Sequence, residues 1–169
     1  MINTTLCYIE QEGKYLLLHR VKKQNDINKD KWIGIGGKFE ENESPEDCIK
    51  REAMEETGLS INPIYRGIVT FISDGMNETE FMHLFTATEF SGKLKDCDEG
   101  VLEWIPKKKL LEIPHWDGDI IFLTLLESDV PFFSLKLTYK GSTLTEAILN
   151  GKAVNYQDFQ QEFTGIPER

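Results

Sequence analysis

The stretch Gly37-Lys38-Phe39-Glu40-Glu41-Asn42-Glu43-Ser44-Pro45-Glu46-Asp47-Cys48-Ile49-Lys50-Arg51-Glu52-Ala53-Met54-Glu55-Glu56-Thr57-Gly58-Leu59 decides how this chain is read. Ser44 can cap a helix, Pro45 suits the first helical position, and Glu46 and Asp47 complement the positive end of the helix dipole. Gly58 supplies the stop. The spacing predicts a helix over 45–57, about three and a half turns long.

Glu52, Glu55 and Glu56 are spaced i, i+3, i+4 and share one side of that helix. Like charges so spaced destabilise a helix by about 0.2–0.5 kcal/mol per pair. A bound divalent cation would offset this, and all-oxygen ligands suit Mg²⁺ or Mn²⁺. Glutamates at this spacing also suit a solvated face, so they do not decide the matter alone. Ile49 and Ala53 form an apolar edge that can pack on a sheet, with Arg51 one turn before Glu55.

The whole pattern does decide it. A glycine is followed by five residues, Glu43, seven residues, Arg51-Glu52, an apolar residue, any residue, Glu55-Glu56, any residue, Gly58 and an apolar residue. The chain resembles the Nudix hydrolases of MutT type, whose box it matches at every fixed position. The resemblance covers roughly 4–147 and implies an α/β fold, a Nudix α/β/α sandwich with a mixed β-sheet. It also implies Mg²⁺ (Mn²⁺ possible) on Glu52, Glu55 and Glu56, with a carbonyl at Gly36 or Gly37 as a further ligand; Gly37 is the one assigned. Glu99, just before the apolar run Val101–Pro106, is the candidate that completes the site, with Asp98 as the neighbour able to replace it. Lys38 is placed near the phosphates. Arg51 and Glu43 are expected to brace loop and helix, and Glu52 or Glu99 to act as general base.

Around the box, 4–9 and 14–20 read as a hairpin, and 21–31 as a polar loop able to carry substrate contacts. The glycines of Gly34-Ile35-Gly36-Gly37 let backbone approach a ligand. A long strand is expected over 61–72, its partner over 80–90, an acidic loop over 91–99, a short helical turn over 107–112 and an apolar helix over 120–126. A strand at 130–139 and a short element at 144–148 follow. The expected organisation is one domain over 1–150 and a polar C-terminal tail over 151–169, with Phe159 and Phe163 able to order part of it. His83, inside a strand, is read as structural.

At 169 residues, with 40% hydrophobic and 28% charged content, the chain has the composition of an ordinary globular domain. No apolar run approaches membrane-spanning length, and the N-terminus lacks a basic start and apolar core, so neither membrane span nor signal peptide is expected. Three scattered cysteines point to free thiols and a cytoplasmic setting, and its acidic neighbours place Cys97 at the surface. The net charge of −10 argues against a nucleic-acid surface. A phosphate ligand would then rely on metal and on Arg20, Lys22, Lys23 and Lys38. Oligomeric state is open.

The flanks are similar to the oxidised-purine nucleoside triphosphate (8-oxo-dGTP) diphosphatases: Trp32 before Gly34-Ile35-Gly36-Gly37-Lys38, then Trp116 with Asp119. That similarity implies Trp116 stacking on a purine and Asp119 bonding its edge, with Trp32, Gly36, Gly37 and Lys38 also on the substrate side. Two positions depart from it: Ile33 stands where the animal enzymes have asparagine, and Gly118 where they have one of two paired acids. The expected reaction is conversion of a nucleoside triphosphate to monophosphate and pyrophosphate. Alternatives are a broader nucleotide or nucleotide-sugar (ADP-ribose type) pyrophosphatase and a non-catalytic nucleotide-sensing module.

Overall fold

The computed structural model describes residues 1–164. Its central element is the helix α1, Pro45–Thr57, with the bounds the sequence predicts. Ser44 Oγ accepts from the Asp47 N–H and Asp47 Oδ2 accepts from the Ser44 N–H, both at 3.0 Å, closing a capping box. Gly58, at φ 79°, ends the helix in the left-handed conformation and donates to the Met54 carbonyl.

The strands are β1 (Ile2–Gln11), β2 (Lys14–His19), β3 (Trp32–Ile33), β4 (Leu59–Ile61), β5 (Ile64–Ser73), β6 (Glu80–Ala87), β7 (Phe90–Gly92), β8 (Val101–Pro106), β9 (Phe133–Lys140), β10 (Thr143–Leu149) and β11 (Lys152–Ala153). Nine of them form one mixed sheet in the order β11-β10-β9-β5-β6-β1-β2-β3, with β8 on β2. β1 runs parallel to β6 and β5 parallel to β9; the other pairs are antiparallel. The expected strand at 61–72 is interrupted at Asn62-Pro63. Proline has no N–H for a ladder, and Leu59–Ile61 pairs instead with Phe90–Gly92 in a separate two-stranded sheet. The partner strand expected at 80–90 is likewise split between β6 and β7.

Alternation along the strands builds two cores. Cys7, Ile9, Leu16, Leu18, Phe85 and Ala87 face α1 and bury Ile49 and Ala53. Tyr8, Tyr15, Leu17, Val69, Phe71 and Leu84 face the opposite side and pack on α2, Asp119–Leu126. The result is the expected α/β/α sandwich. A 3₁₀ turn, Lys107–Glu112, precedes α2.

Residues 151–164, assigned to a tail from sequence, form β11 and α3 (Tyr156–Thr164). Phe163 is buried and Phe159 packs on the α2 core; the rest of the expected tail, 165–169, lies outside the described residues. Among the described residues no helix is long and apolar enough to cross a membrane. All three cysteines are free and buried. Cys97, expected at the surface, is only 4% exposed. Its short bridge to Gly100 turns the thiol under the loop while the flanking acids stay outside.

Candidate active site

Helix α1 lies against the Gly34–Lys38 segment, and this contact assembles the acidic end of the site. The Gly36 N–H donates to Glu56 Oε1 at 3.1 Å. Glu56 is 6% exposed, and its Oε2 is buried with no hydrogen-bond partner. Burial, then the charges of Glu99 and Glu52, push the Glu56 carboxyl up to about 8. Glu52 lies against Gly37, where an added Cβ would sit 2.5 Å from Glu52 Oε1. Glu99 arrives from the loop before β8 and is held by Arg20 Nη1 at 3.0 Å and Lys23 Nζ at 2.5 Å.

Glu55 and Gly37, also assigned to the cation from the sequence, have other partners here. Glu55 is 58% exposed and meets Arg51 Nη1 at 3.2 Å rather than the other acids. At about 100° per residue, Glu56 lies roughly 40° to one side of Glu52 and Glu55 roughly 60° to the other, and the sheet contact takes the Glu56 side. The Gly37 carbonyl is committed to β1, accepting from the Thr5 N–H at 2.8 Å. Gly36 has its N–H turned to Glu56, and among the described residues no donor reaches its carbonyl. The Gly36 carbonyl is therefore the less engaged of the two backbone oxygens.

Among the described residues no three His, Cys, Asp or Glu side chains are drawn together as a preformed metal cluster. The donor set nevertheless fits a hard cation. It consists of oxygens, it includes the unpartnered Oε2 of Glu56, and Glu52, Glu56 and Glu99 lie close enough for their charges to interact.

Arg51 fastens this end together. Its Nε donates to Glu43 Oε1 at 2.5 Å, Nη2 to the Lys38 carbonyl at 3.0 Å, and Nη1 to Glu52 Oε1 at 2.9 Å. The guanidinium holds the Glu43 carboxyl down at about 2. One side chain thus ties helix, box loop and Glu52, a task that uses every arm of the guanidinium fork.

A cavity of about 620 Å³ is walled by Glu52, Glu99, Gly36, Gly37 and Lys38 and also by Tyr8, Phe71, Trp116 and Asp119. Trp116 is buried edge-on to Phe71 and Tyr139, with Lys31 Nζ 4.3 Å from its ring centre. Asp119 is 8% exposed, and burial pushes its carboxyl up to about 8. Trp32, grouped with the substrate residues from sequence, is not in the cavity wall; it stacks on His19 at 4.4 Å.

The two departures have visible surroundings. Ile33 adds apolar wall to the cavity. At Gly118 a Cβ would lie 2.5 Å from Leu137 Cδ1 and 2.7 Å from Tyr139 Oη, so a second acid there requires Leu137 and Tyr139 to shift. His83 bonds Asn3 and the Tyr65 hydroxyl, outside the cavity wall.

Sequence reasoning missed Tyr8, Asp26 and Asn28 as wall residues. Tyr8 looks like any core strand residue. The loop 21–31 was read as able to carry contacts, but no spacing singles out Asp26 or Asn28 within it.

Comparison with known proteins agrees with this architecture. The NUDIX domain model matches residues 2–126. The oxidized purine nucleoside triphosphate hydrolase of Danio rerio is 30% identical over 123 residues, 72% of this chain and 77% of that protein. The GDP-mannose pyrophosphatase of Yersinia enterocolitica is 31% identical over 118 residues, 68% of this chain and 60% of that protein. Among solved structures, a MutT protein from Bacillus halodurans superposes with a TM-score of 0.76 at 31% identity, covering 90% of this chain and 99% of that one. The chain belongs to the Nudix family. It is a pyrophosphohydrolase acting on nucleotide substrates, and enzymes of this family generally need divalent metal ions.

Proposed function

We propose that this enzyme hydrolyses a purine nucleoside triphosphate, with oxidised forms such as 8-oxo-dGTP among its substrates, to the monophosphate and pyrophosphate. One observation carries the reading: a single cavity is walled both by the α1 carboxylate Glu52 with Glu99 and by Trp116 with Asp119. Phosphates and base of one nucleotide can therefore be held at once.

Glu52, Glu55, Glu56, Glu99 and a carbonyl at Gly36 or Gly37 would hold the cation, with Mg²⁺ favoured and Mn²⁺ able to substitute. When bound, it neutralises phosphate charge and acidifies water. Lys38, in the cavity wall, offsets further phosphate charge in a chain of net charge −10. Glu52 or Glu99 accepts the proton of the attacking water, and Arg51 keeps Glu52 in place. Glu55 also pairs with Arg51. Trp116 and Asp119 position the base. The domain of 1–150 is extended by β11 and α3, and the free buried cysteines suit a cytoplasmic setting.

The test is a panel of normal and oxidised purine triphosphates, ADP-ribose and GDP-sugars, each with Mg²⁺ or Mn²⁺, scored for released pyrophosphate. Pyrophosphate from purine triphosphates is expected. The similarity to GDP-mannose pyrophosphatases supports a second reading, nucleotide-sugar cleavage, which releases none. Binding without turnover of any substrate would point instead to a sensing module.

A further inference from the structure

Asn28 is not part of the box or of any spacing read from the sequence, yet it stands in the cavity wall beside Trp116. Its Oδ1 accepts from Trp116 Nε1–H at 2.8 Å. An indole N–H can only donate, so this bond fixes which way the amide faces: oxygen to the tryptophan, Nδ2 away from it. Among the described residues, no protein acceptor is bonded to Nδ2. The backbone at 28 is held too. The Asn28 N–H donates to Asp26 Oδ1 at 3.0 Å, and Asp26 Oδ2 takes Arg20 Nε at 2.5 Å. Asp26 and Arg20 side chains are only 6% and 13% exposed, which makes this a firm support.

The result is an amide donor held in place at the wall that also carries Trp116 and Asp119. The acceptor side of Asn28 is already engaged, so what remains for a base is N–H. Ile33, in the same wall, offers no hydrogen bond. Purines differ in what they present at position 6: guanine offers a carbonyl acceptor, adenine an amino donor.

Resting on the proposed nucleotide reading, we propose that Asn28 is a base-selecting residue, donating from Nδ2 to the 6-keto oxygen of a guanine-type base and disfavouring 6-amino purines. Asp119, on the same wall and largely protonated at neutral pH through burial, leaves the edge of the base without a competing fixed negative charge.

The test compares wild type with Asn28→Asp and Asn28→Ala on dGTP, 8-oxo-dGTP and dATP. Asn28→Asp keeps an oxygen acceptor for Trp116, so the ring stays supported, and it replaces the donor with an acceptor. The expected result is a loss of about tenfold or more in kcat/KM for the guanine substrates, carried by KM, with dATP unchanged or improved. Asn28→Ala should lose the preference without favouring dATP. An equal fractional loss on guanine and adenine substrates, or a loss confined to kcat, would overturn base selection and leave Asn28 as a support for Trp116. If wild type proves inactive on all triphosphates, the substrate reading fails separately. The same comparison then runs on GDP-sugars against ADP-ribose, where unchanged base preference in Asn28→Asp refutes the role of Asn28.

Discussion

The Gly36 amide and the Glu56 carboxyl are joined by a 3.1 Å hydrogen bond, and the second oxygen of that carboxyl is buried without a partner. The bond aims Glu56 at the other acids, and burial leaves it dependent on whatever cation joins them. A buried carboxylate facing two like charges is unfavourable unless compensated.

Replacing Glu56 by Gln should therefore separate function from folding. Metal-dependent hydrolysis is expected to fall by at least about a hundredfold. The metal-free thermal midpoint should stay level or rise, because a neutral amide relieves the repulsion. Turnover assays, Mn²⁺ titration by electron paramagnetic resonance and thermal melts check this. Wild-type turnover and Mn²⁺ affinity in the variant would remove Glu56 from the metal site.

The adjacent glycines should fail in different ways. A Cβ at Gly36 would lie 1.8 Å from the Thr5 carbonyl oxygen, a clash with backbone of a core strand. Gly36→Ala should cost roughly 1–3 kcal/mol or more of stability, read by urea unfolding. At Gly37 the same Cβ meets the carboxylate end of the Glu52 side chain rather than backbone, and that end can be displaced from Arg51. Gly37→Ala should fold with little loss but drop kcat by about tenfold or more as Glu52 is displaced.

Arg51 should resist conservative replacement. Its Nε, Nη1 and Nη2 reach Glu43, Glu52 and the Lys38 carbonyl at once. A lysine keeps the charge but offers one nitrogen in place of the fork. Arg51→Lys is expected to recover less than half of the activity lost in Arg51→Ala, and both variants should lose about 1–3 kcal/mol of stability. Full rescue by lysine would show that charge alone matters.

Asp119 sets a pH dependence. Its folded carboxyl is pushed up to about 8 by burial, above its ordinary 3.8. A group raised in this way contributes stability fully below the ordinary value and loses it as pH rises through the folded value. Wild type should thus lose up to about 1.4 kcal/mol per pH unit from this group between those limits. Asp119→Asn should show a shallower decline between pH 5 and pH 8 by urea unfolding. Parallel stability curves for the two proteins would place the titration elsewhere.

Much of this molecule was determined locally and so could be read from the chain. The capping box at Ser44 and Asp47, the stop at Gly58 and the box glutamates act within one helix, and α1 carries the bounds that its own sequence dictates. The alternation of β1 and β2 into two cores is equally local. Tertiary structure decided what depends on contacts distant in sequence. Glu55 is set apart from Glu52 and Glu56 by which side of α1 meets the sheet, and the Gly37 carbonyl is taken by Thr5, thirty-two residues away. Asn28 gains its place only because Trp116, eighty-eight residues later, folds back onto it. A helix period can bring carboxylates to one side, but only the packed sheet fixes which of them turns inward and which loop amide closes over the cavity.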